Sequence, residues 1–157
     1  MELSELDKKC FERAIELAHD AGDLKNLPIG AVIRYRDDIV GEGKNAIWSP
    51  ELSLNRHAEM EALRSVPIDM WNYARDMTVY STLEPCVMCM GAILLYGIGC
   101  IMYGSADPYG GATSVIAYLP PFFQSRFSQT KWIGPAFPEE CDPLYKQIRI
   151  LEGITDE

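Results

Sequence analysis

Helix-like and strand-like segments alternate along this 157-residue chain, and the alternation restricts the possible folds more than any other feature. Apolar residues recur at helical spacing from Leu6 to Ala21, and Ser4 can cap this first helix. Further helices are predicted at 57–65, 86–96 and 113–118, with a last one starting at Asp142. Strands are predicted at 29–33, 39–45, 77–82, 100–103 and 131–133. Such an order predicts helices on both faces of one sheet.

The connections between the strands predict how that sheet is built. Only a turn at Asp37-Asp38 separates the first two strands, so they should form an antiparallel hairpin. Each later strand follows a helix-length crossover, which is the connection that parallel neighbours need. We therefore expect an α/β fold of three layers, α/β/α, with a mixed five-stranded sheet. The length suits a single domain over residues 1–157.

The charge of the chain argues against nucleic acid as a partner. Asp and Glu number 23 and Lys and Arg 14, which gives a net charge of −9, and no basic residue occurs between Asp76 and Ser125. Nucleic-acid binding normally depends on a basic surface. The longest nearly apolar stretch, 92–103, is about half the roughly 20 residues of a membrane span. With no signal-peptide pattern at the N-terminus, a cytoplasmic protein is expected.

Three residues with metal-binding side chains stand at the starts of two predicted helices. His57 opens one helix, and Cys86 and Cys89 form a C-x-x-C pair after Pro85 at the start of the next. Two such βα junctions can meet at the carboxyl ends of the strands of one sheet. An imidazole and two thiolates suit zinc, and three protein ligands leave one tetrahedral position open. The pattern is typical of a catalytic rather than a structural zinc site.

Glu59 follows His57 by two residues, and residues two apart do not share a helix face. It therefore need not be a ligand and can move protons beside the metal. Two thiolates cancel the formal charge of Zn²⁺, so the metal lowers the pKa of bound water less than it would at a site with neutral ligands. A positioned carboxylate base is useful for that reason.

Four ordered segments resemble the cytidine deaminase superfamily, whose nucleobase deaminases carry H-x-E and P-C-x-x-C. Within it the chain resembles the branch of tRNA adenosine, guanine and yeast-type cytosine deaminases. The resemblance covers about residues 25–110, and no family match is seen from Pro120 onward. The matching segments are LPIGAV at 27–32, GEGKN at 41–45, HAEMEAL at 57–63 and TLEPCVMCMGAI at 82–93.

The resemblance implies a cytidine deaminase-like fold and a hydrolase that removes an amino group from a purine or pyrimidine and releases ammonia. By this resemblance one zinc per chain is held by His57, Cys86 and Cys89. Glu59 is the general acid and base, and the substrate base is bound by Asn45 and by the backbone N–H of Ala58. The resemblance also implies a homodimer.

Departures from the tRNA adenosine deaminases favour a small free substrate. Residues 53–56, SLNR, replace their usual Asp-Pro-Thr-Ala, and an acidic ending replaces their basic C-terminal helix. Guanine or cytosine is the favoured type of substrate, as free base or nucleoside. The alternatives are a tRNA adenosine deaminase that makes inosine and a zinc-stabilised binding module without catalysis. In some relatives the C-terminus closes the pocket, which makes Glu152, Asp156 and Glu157 candidates for contacting the amino group.

Overall fold

Five strands form one mixed sheet in the computed structural model, which describes residues 1–154. The strands are β1 (Gly30–Tyr35), β2 (Asp38–Lys44), β3 (Met77–Leu83), β4 (Cys100–Ser105) and β5 (Lys131–Ile133). Their order across the sheet is β2-β1-β3-β4-β5. Strand β1 runs antiparallel to β2 and β3, while β3, β4 and β5 are mutually parallel neighbours. The predicted α/β class and mixed five-stranded sheet are confirmed.

Helices cover both faces of the sheet, because successive strand side chains point to opposite sides. The helices are α1 (Glu5–Asp23), α2 (Ala58–Ser65), α3 (Val87–Tyr96), α4 (Pro121–Phe127) and α5 (Pro138–Leu151). On one face α1 packs against Val32 and Tyr80, and on the other α2 and α3 pack against Ile33 and Val79. Among residues 1–154, no helix has the length and apolar character needed to cross a membrane.

Helix boundaries in the second half of the chain differ from the prediction. The last helix begins at Pro138 rather than at Asp142, so Pro143 lies inside it. Proline is equally suited to the first helical position at 138, and two acidic residues in the first turn there favour the helix dipole. Helix α4 and a 3₁₀ helix at Ile68–Asp76 were not predicted. Helix α4 has only seven residues, so its apolar pair Phe123 and Phe127, which packs against the cluster around Met90 and Leu94, is too short a pattern to predict a helix.

Gly43 allows α2 to lie directly on β2. A Cβ atom at this position would overlap with the backbone of Ala58 and Ala62 in α2. Because α2 begins immediately after His57, this close approach determines how near the start of the helix lies to the sheet. The glycine thereby helps to position the residues of the site described next.

Substituting Gly43→Ala is expected to lower the free energy of unfolding by about 2 kcal/mol, since overpacking typically costs about 1–3 kcal/mol. Urea denaturation measures the change. Gly22→Ala is the matched control, because the new Cβ would lie 3.7 Å from its nearest neighbour, the Cβ of Pro28, and would therefore fit without overlap. That control should keep or increase stability, since alanine favours a helix over glycine. A Gly43→Ala protein as stable as the wild type would contradict the close approach.

Candidate metal centre and substrate cavity

The starts of α2 and α3 bring three ligand atoms together. His57 precedes α2 as its N-cap, Cys86 precedes α3 as its N-cap, and Cys89 lies in the first turn of α3. Nδ1 of His57 lies 3.5 Å from the Sγ atoms of both Cys86 and Cys89. All three ligand atoms lie within 4.8 Å of one another. The structure thus joins residues that are far apart in the sequence.

These separations fit a zinc ion. Zinc bonded to nitrogen at about 2.05 Å and to sulfur at about 2.3 Å, at the tetrahedral angle, separates the two atoms by about 3.5 Å. The distances from the His57 ring to the two sulfur atoms agree with that value.

The two thiols are electrostatically unlike. The hydrogen bond from Cys89, together with one from His57, outweighs burial and lowers the pKa of Cys86 to about 4. The same bond to Cys86, with burial, raises the pKa of Cys89. Cys86 is therefore a thiolate at neutral pH while Cys89 keeps a proton. A metal ion that binds both sulfurs must displace that proton, since thiolates are the ligating form.

Glu59 is a buried carboxyl group beside the sulfurs and is only 4% exposed. The Ser81 hydroxyl donates a hydrogen bond of 3.1 Å to its Oε1, and the Cys89 thiol contacts its Oε2 at 3.5 Å. Burial raises the pKa of Glu59, and the negative charge of Cys86 adds to that rise. A carboxyl group with a raised pKa can both accept and return a proton near neutral pH.

A cavity of about 230 Å³ opens over this cluster. Its wall includes His57, Glu59, Cys86 and Asn45. The side-chain oxygen of Asn45 accepts a hydrogen bond of 3.3 Å from the backbone N–H of Ile47, which holds the amide in the wall. The volume lies below the roughly 300–1,000 Å³ of pockets for drug-sized ligands. The cavity therefore suits one planar ring rather than a whole nucleotide.

Ala58 takes a different place from the other predicted site residues. Its side chain is fully buried in the apolar core beneath α2, and it is not part of the cavity wall. As the first residue of α2 it has an N–H group in the first helical turn. Helix geometry gives such groups no acceptor inside the helix. A contact between this N–H and a substrate stays a prediction.

Several wall residues were not predicted as site residues or were only candidates. Glu84, Asp107 and Tyr109 also line the cavity. The signal for Glu84 was a charged residue ending an apolar strand directly before Pro85. Glu152, a candidate from the C-terminal acids, also lines the cavity, whereas Asp156 and Glu157 lie outside the described residues.

Comparisons with known proteins agree with this geometry. Residues 4–105 match the family described as the cytidine and deoxycytidylate deaminase zinc-binding region. The chain is 42% identical over 111 residues to a tRNA-specific adenosine deaminase of Haemophilus influenzae, covering 69% of this chain and 64% of that protein. It is 31% identical over 146 residues to tRNA-specific adenosine deaminase 2 of Xenopus tropicalis, covering 87% of this chain and 84% of that protein.

A solved structure shows the same fold. It comes from a study of A-to-I editing by tRNA:A34 deaminases at the wobble position of transfer RNA. Its TM-score is 0.70 at 25% identity, and the match covers 87% of this chain and 99% of that one. The predicted resemblance is confirmed, and the match to a zinc-binding region confirms zinc as the cofactor of the family. The roles assigned to single residues stay predictions.

The extent of the matches varies between relatives. The chain spans 64% of the Haemophilus influenzae protein and as little as 18% of another curated relative. The match to the family ends at residue 105, before α4 and α5. The assignment of residues 1–157 to one deaminase domain therefore stays a prediction.

The expectation that nucleic acid is not a partner is wrong. By name, the Haemophilus and Xenopus relatives act on transfer RNA, and so do the deaminases of the structural study. The expectation relied on the net charge of the whole chain, but binding depends on the local distribution of charge. Two basic residues of α5, Lys146 and Arg149, line one groove together with Pro108 of the loop beside the cavity.

Removing one ligand is expected to remove the metal. Cys89→Ala should lower zinc from one ion per chain to below about a tenth, because two ligands hold zinc much more weakly than three. Elemental analysis after gel filtration measures the content. Cys141→Ala, a buried cysteine outside the cluster, is the matched control and should keep its zinc. Full zinc content in Cys89→Ala would contradict this assignment of the ligands.

Proposed function

The chain belongs to the cytidine and deoxycytidylate deaminase family, and on that premise we propose that it hydrolytically deaminates adenosine within a transfer RNA, producing inosine. One observation supports deamination above all others. The ligand atoms of His57, Cys86 and Cys89 converge beside the Glu59 carboxyl group at a cavity sized for one base. Relatives named for tRNA adenosine support the substrate class.

In the proposed reaction His57, Cys86 and Cys89 would hold zinc, which as a Lewis acid activates water. Glu59 accepts a proton from the water whose oxygen bonds to the ring carbon bearing the amino group. It passes this proton to the ring nitrogen, then takes the second proton from the hydroxyl group added at that carbon and passes it to the amine, so the C–N bond breaks, a C=O bond forms and ammonia leaves. Ser81 keeps the Glu59 carboxyl group in place through its hydrogen bond. Asn45 binds the edge of the base from the cavity wall.

The size of the cavity bears on how an RNA would bind. A space of about 230 Å³ lies below the roughly 300–1,000 Å³ of pockets for drug-sized ligands, so it suits a base better than a whole nucleotide. The target nucleotide must therefore turn out of its strand so that the base alone enters, as in other enzymes that modify bases. The sugar and backbone remain at the mouth of the cavity. A single-stranded loop meets this requirement at the lowest cost in base stacking.

The preference for a guanine or cytosine substrate, drawn from the sequence, is not supported by the relatives. It depended partly on the changed segment 53–56. Arg56 of that segment donates hydrogen bonds of 3.2 and 3.1 Å to Glu61, so it is engaged within the protein. The segment therefore gives no independent argument for a free base. A cytoplasmic location also stays a prediction.

The proposal is tested by incubating zinc-loaded protein with an anticodon stem-loop RNA and measuring inosine after nuclease digestion. Inosine should form, and Glu59→Gln should lower the rate of its formation at least about 100-fold, which is the lower end of the range for general acid–base catalysis. That variant should keep its zinc, since Glu59 is not among the proposed ligands. Free guanine, cytosine and adenosine are assayed in parallel by ammonia release. Turnover of free guanine or cytosine with no inosine in the RNA would contradict the proposal.

The outer face of α3 supports the further proposal of a homodimer. Val87 and Leu95 on this face are 55% and 56% exposed, and a Cβ at Gly91 between them would meet no atom within 4 Å. An exposed apolar face of this kind marks an association surface. It lies on the helix that supplies Cys89, so a second copy would cover the back of the metal centre. We therefore expect this face to pair with itself.

Light scattering after gel filtration measures the assembly. The wild type should have the mass of two chains, and Leu95→Asp should have the mass of one, because a buried unpaired charge is costly. Ile150→Asp, at an exposed apolar position on α5, is the control and should leave the mass unchanged. A monomeric wild type would contradict the proposal.

A further inference from the structure

Glu84 is a buried carboxylate whose two oxygen atoms hold one loop. It is only 6% exposed. Its Oε2 accepts a hydrogen bond of 2.9 Å from the backbone N–H of Asp107, and its Oε1 accepts one of 2.9 Å from the backbone N–H of Thr113. We call residues 107–113 the cavity loop. One side chain therefore fixes both ends of this loop.

The cavity loop forms one wall of the substrate cavity. Asp107, Tyr109 and Gly110 line that wall. Inside the loop, Oδ1 of Asp107 accepts hydrogen bonds of 3.1 and 3.0 Å from the N–H groups of Tyr109 and Gly110. The same oxygen accepts a hydrogen bond of 2.8 Å from the Tyr145 hydroxyl of α5. Any displacement of the loop would therefore change the shape of the cavity.

The loop also contacts the chain segment that carries the metal ligands. Gly111 pairs with Cys86 in an isolated β-bridge, and the N–H of Ala112 donates a hydrogen bond of 2.9 Å to the carbonyl of Pro85. A Cβ at Gly111 would overlap with the Glu84 carboxyl group. The absence of a side chain at this glycine lets the carboxylate reach both loop amides.

We propose that Glu84 is a positioning residue that sets substrate affinity by holding the cavity loop in its binding conformation. The inference rests on the proposed deaminase function of the cavity. Hydrogen bonds to a carboxylate are stronger than those between neutral groups, so losing them frees the loop. If the loop occupies its binding conformation for only a fraction of the time, the apparent Kd equals the intrinsic Kd divided by that fraction, so the apparent affinity falls.

The catalytic step should depend less on this loop than substrate binding does. Ser81 of β3 holds Glu59, and the starts of α2 and α3 hold the proposed zinc ligands. None of these groups belongs to the cavity loop. Once substrate is bound, the reacting groups keep their geometry. The effect of a change at Glu84 is therefore expected in KM rather than in kcat.

Glu84→Gln tests the inference, because an amide group cannot accept at both of its terminal atoms. The variant should raise KM about tenfold and leave kcat within about twofold, which corresponds to a loop in place about a tenth of the time. Zinc should stay at one per chain. Glu139→Gln makes the same chemical change at an exposed position of α5 and should leave KM unchanged.

Hydrogen exchange gives a readout that needs no substrate. The amides of Asp107 and Thr113 should exchange slowly in the wild type and faster in Glu84→Gln. In Gly111→Ala the added Cβ would overlap with the Glu84 carboxyl group and displace the loop, although the carboxylate itself is unchanged. This variant should raise KM in the same way. It also serves as the second variant if Glu84→Gln does not fold.

Three results would overturn the inference: unchanged KM with unchanged exchange in the loop, a fall in kcat at constant KM, or loss of zinc. Failure of the proposed function is distinguishable from failure of the inference. If the RNA is not deaminated, the exchange of the two loop amides still decides whether Glu84 holds the loop. KM is then measured with whichever base the protein turns over.

Discussion

The close approach of two helix starts to the same edge of the sheet is the constraint on which the site depends. Helix α2 comes near the sheet because β2 has a glycine beneath it, and α3 begins directly after β3 through Pro85. His57 and Cys86 occupy equivalent N-cap positions on these helices. The positive ends of both helix dipoles point at the cluster and favour the thiolate form of Cys86. Backbone geometry therefore prepares the three donors for a metal cation.

Burial gives the cavity its chemical character. The Glu59 carboxyl group has little contact with water, and one hydroxyl and one thiol hold its oxygen atoms. The cavity loop lines the same cavity and is held by a second buried glutamate, Glu84. The two glutamates thus have different tasks in one small space. One is placed to move protons, and the other organises the wall that a base would meet.

The sequence was sufficient for the parts of the molecule in which short-range patterns carry the information. Alternating helical and strand periodicity predicts the sheet, and the spacing around His57 and Cys86 predicts two ligand-bearing helix starts. Patterns of this kind do not encode contacts between distant segments. The hydrogen bonds from Glu84 to Asp107 and Thr113 span 23 and 29 residues, and no local signal marks them. The net charge led to a wrong expectation about nucleic acid, because it sums the charges of the whole surface, including parts that a partner does not contact.

X-ray absorption at the zinc edge of the wild-type protein tests the central claim most directly, because it reports the atoms bonded to the metal. The account predicts two sulfur ligands at about 2.3 Å and two nitrogen or oxygen ligands at about 2.0–2.1 Å, one of them an imidazole. A site with four sulfur ligands, or with none, would contradict the assignment of His57, Cys86 and Cys89.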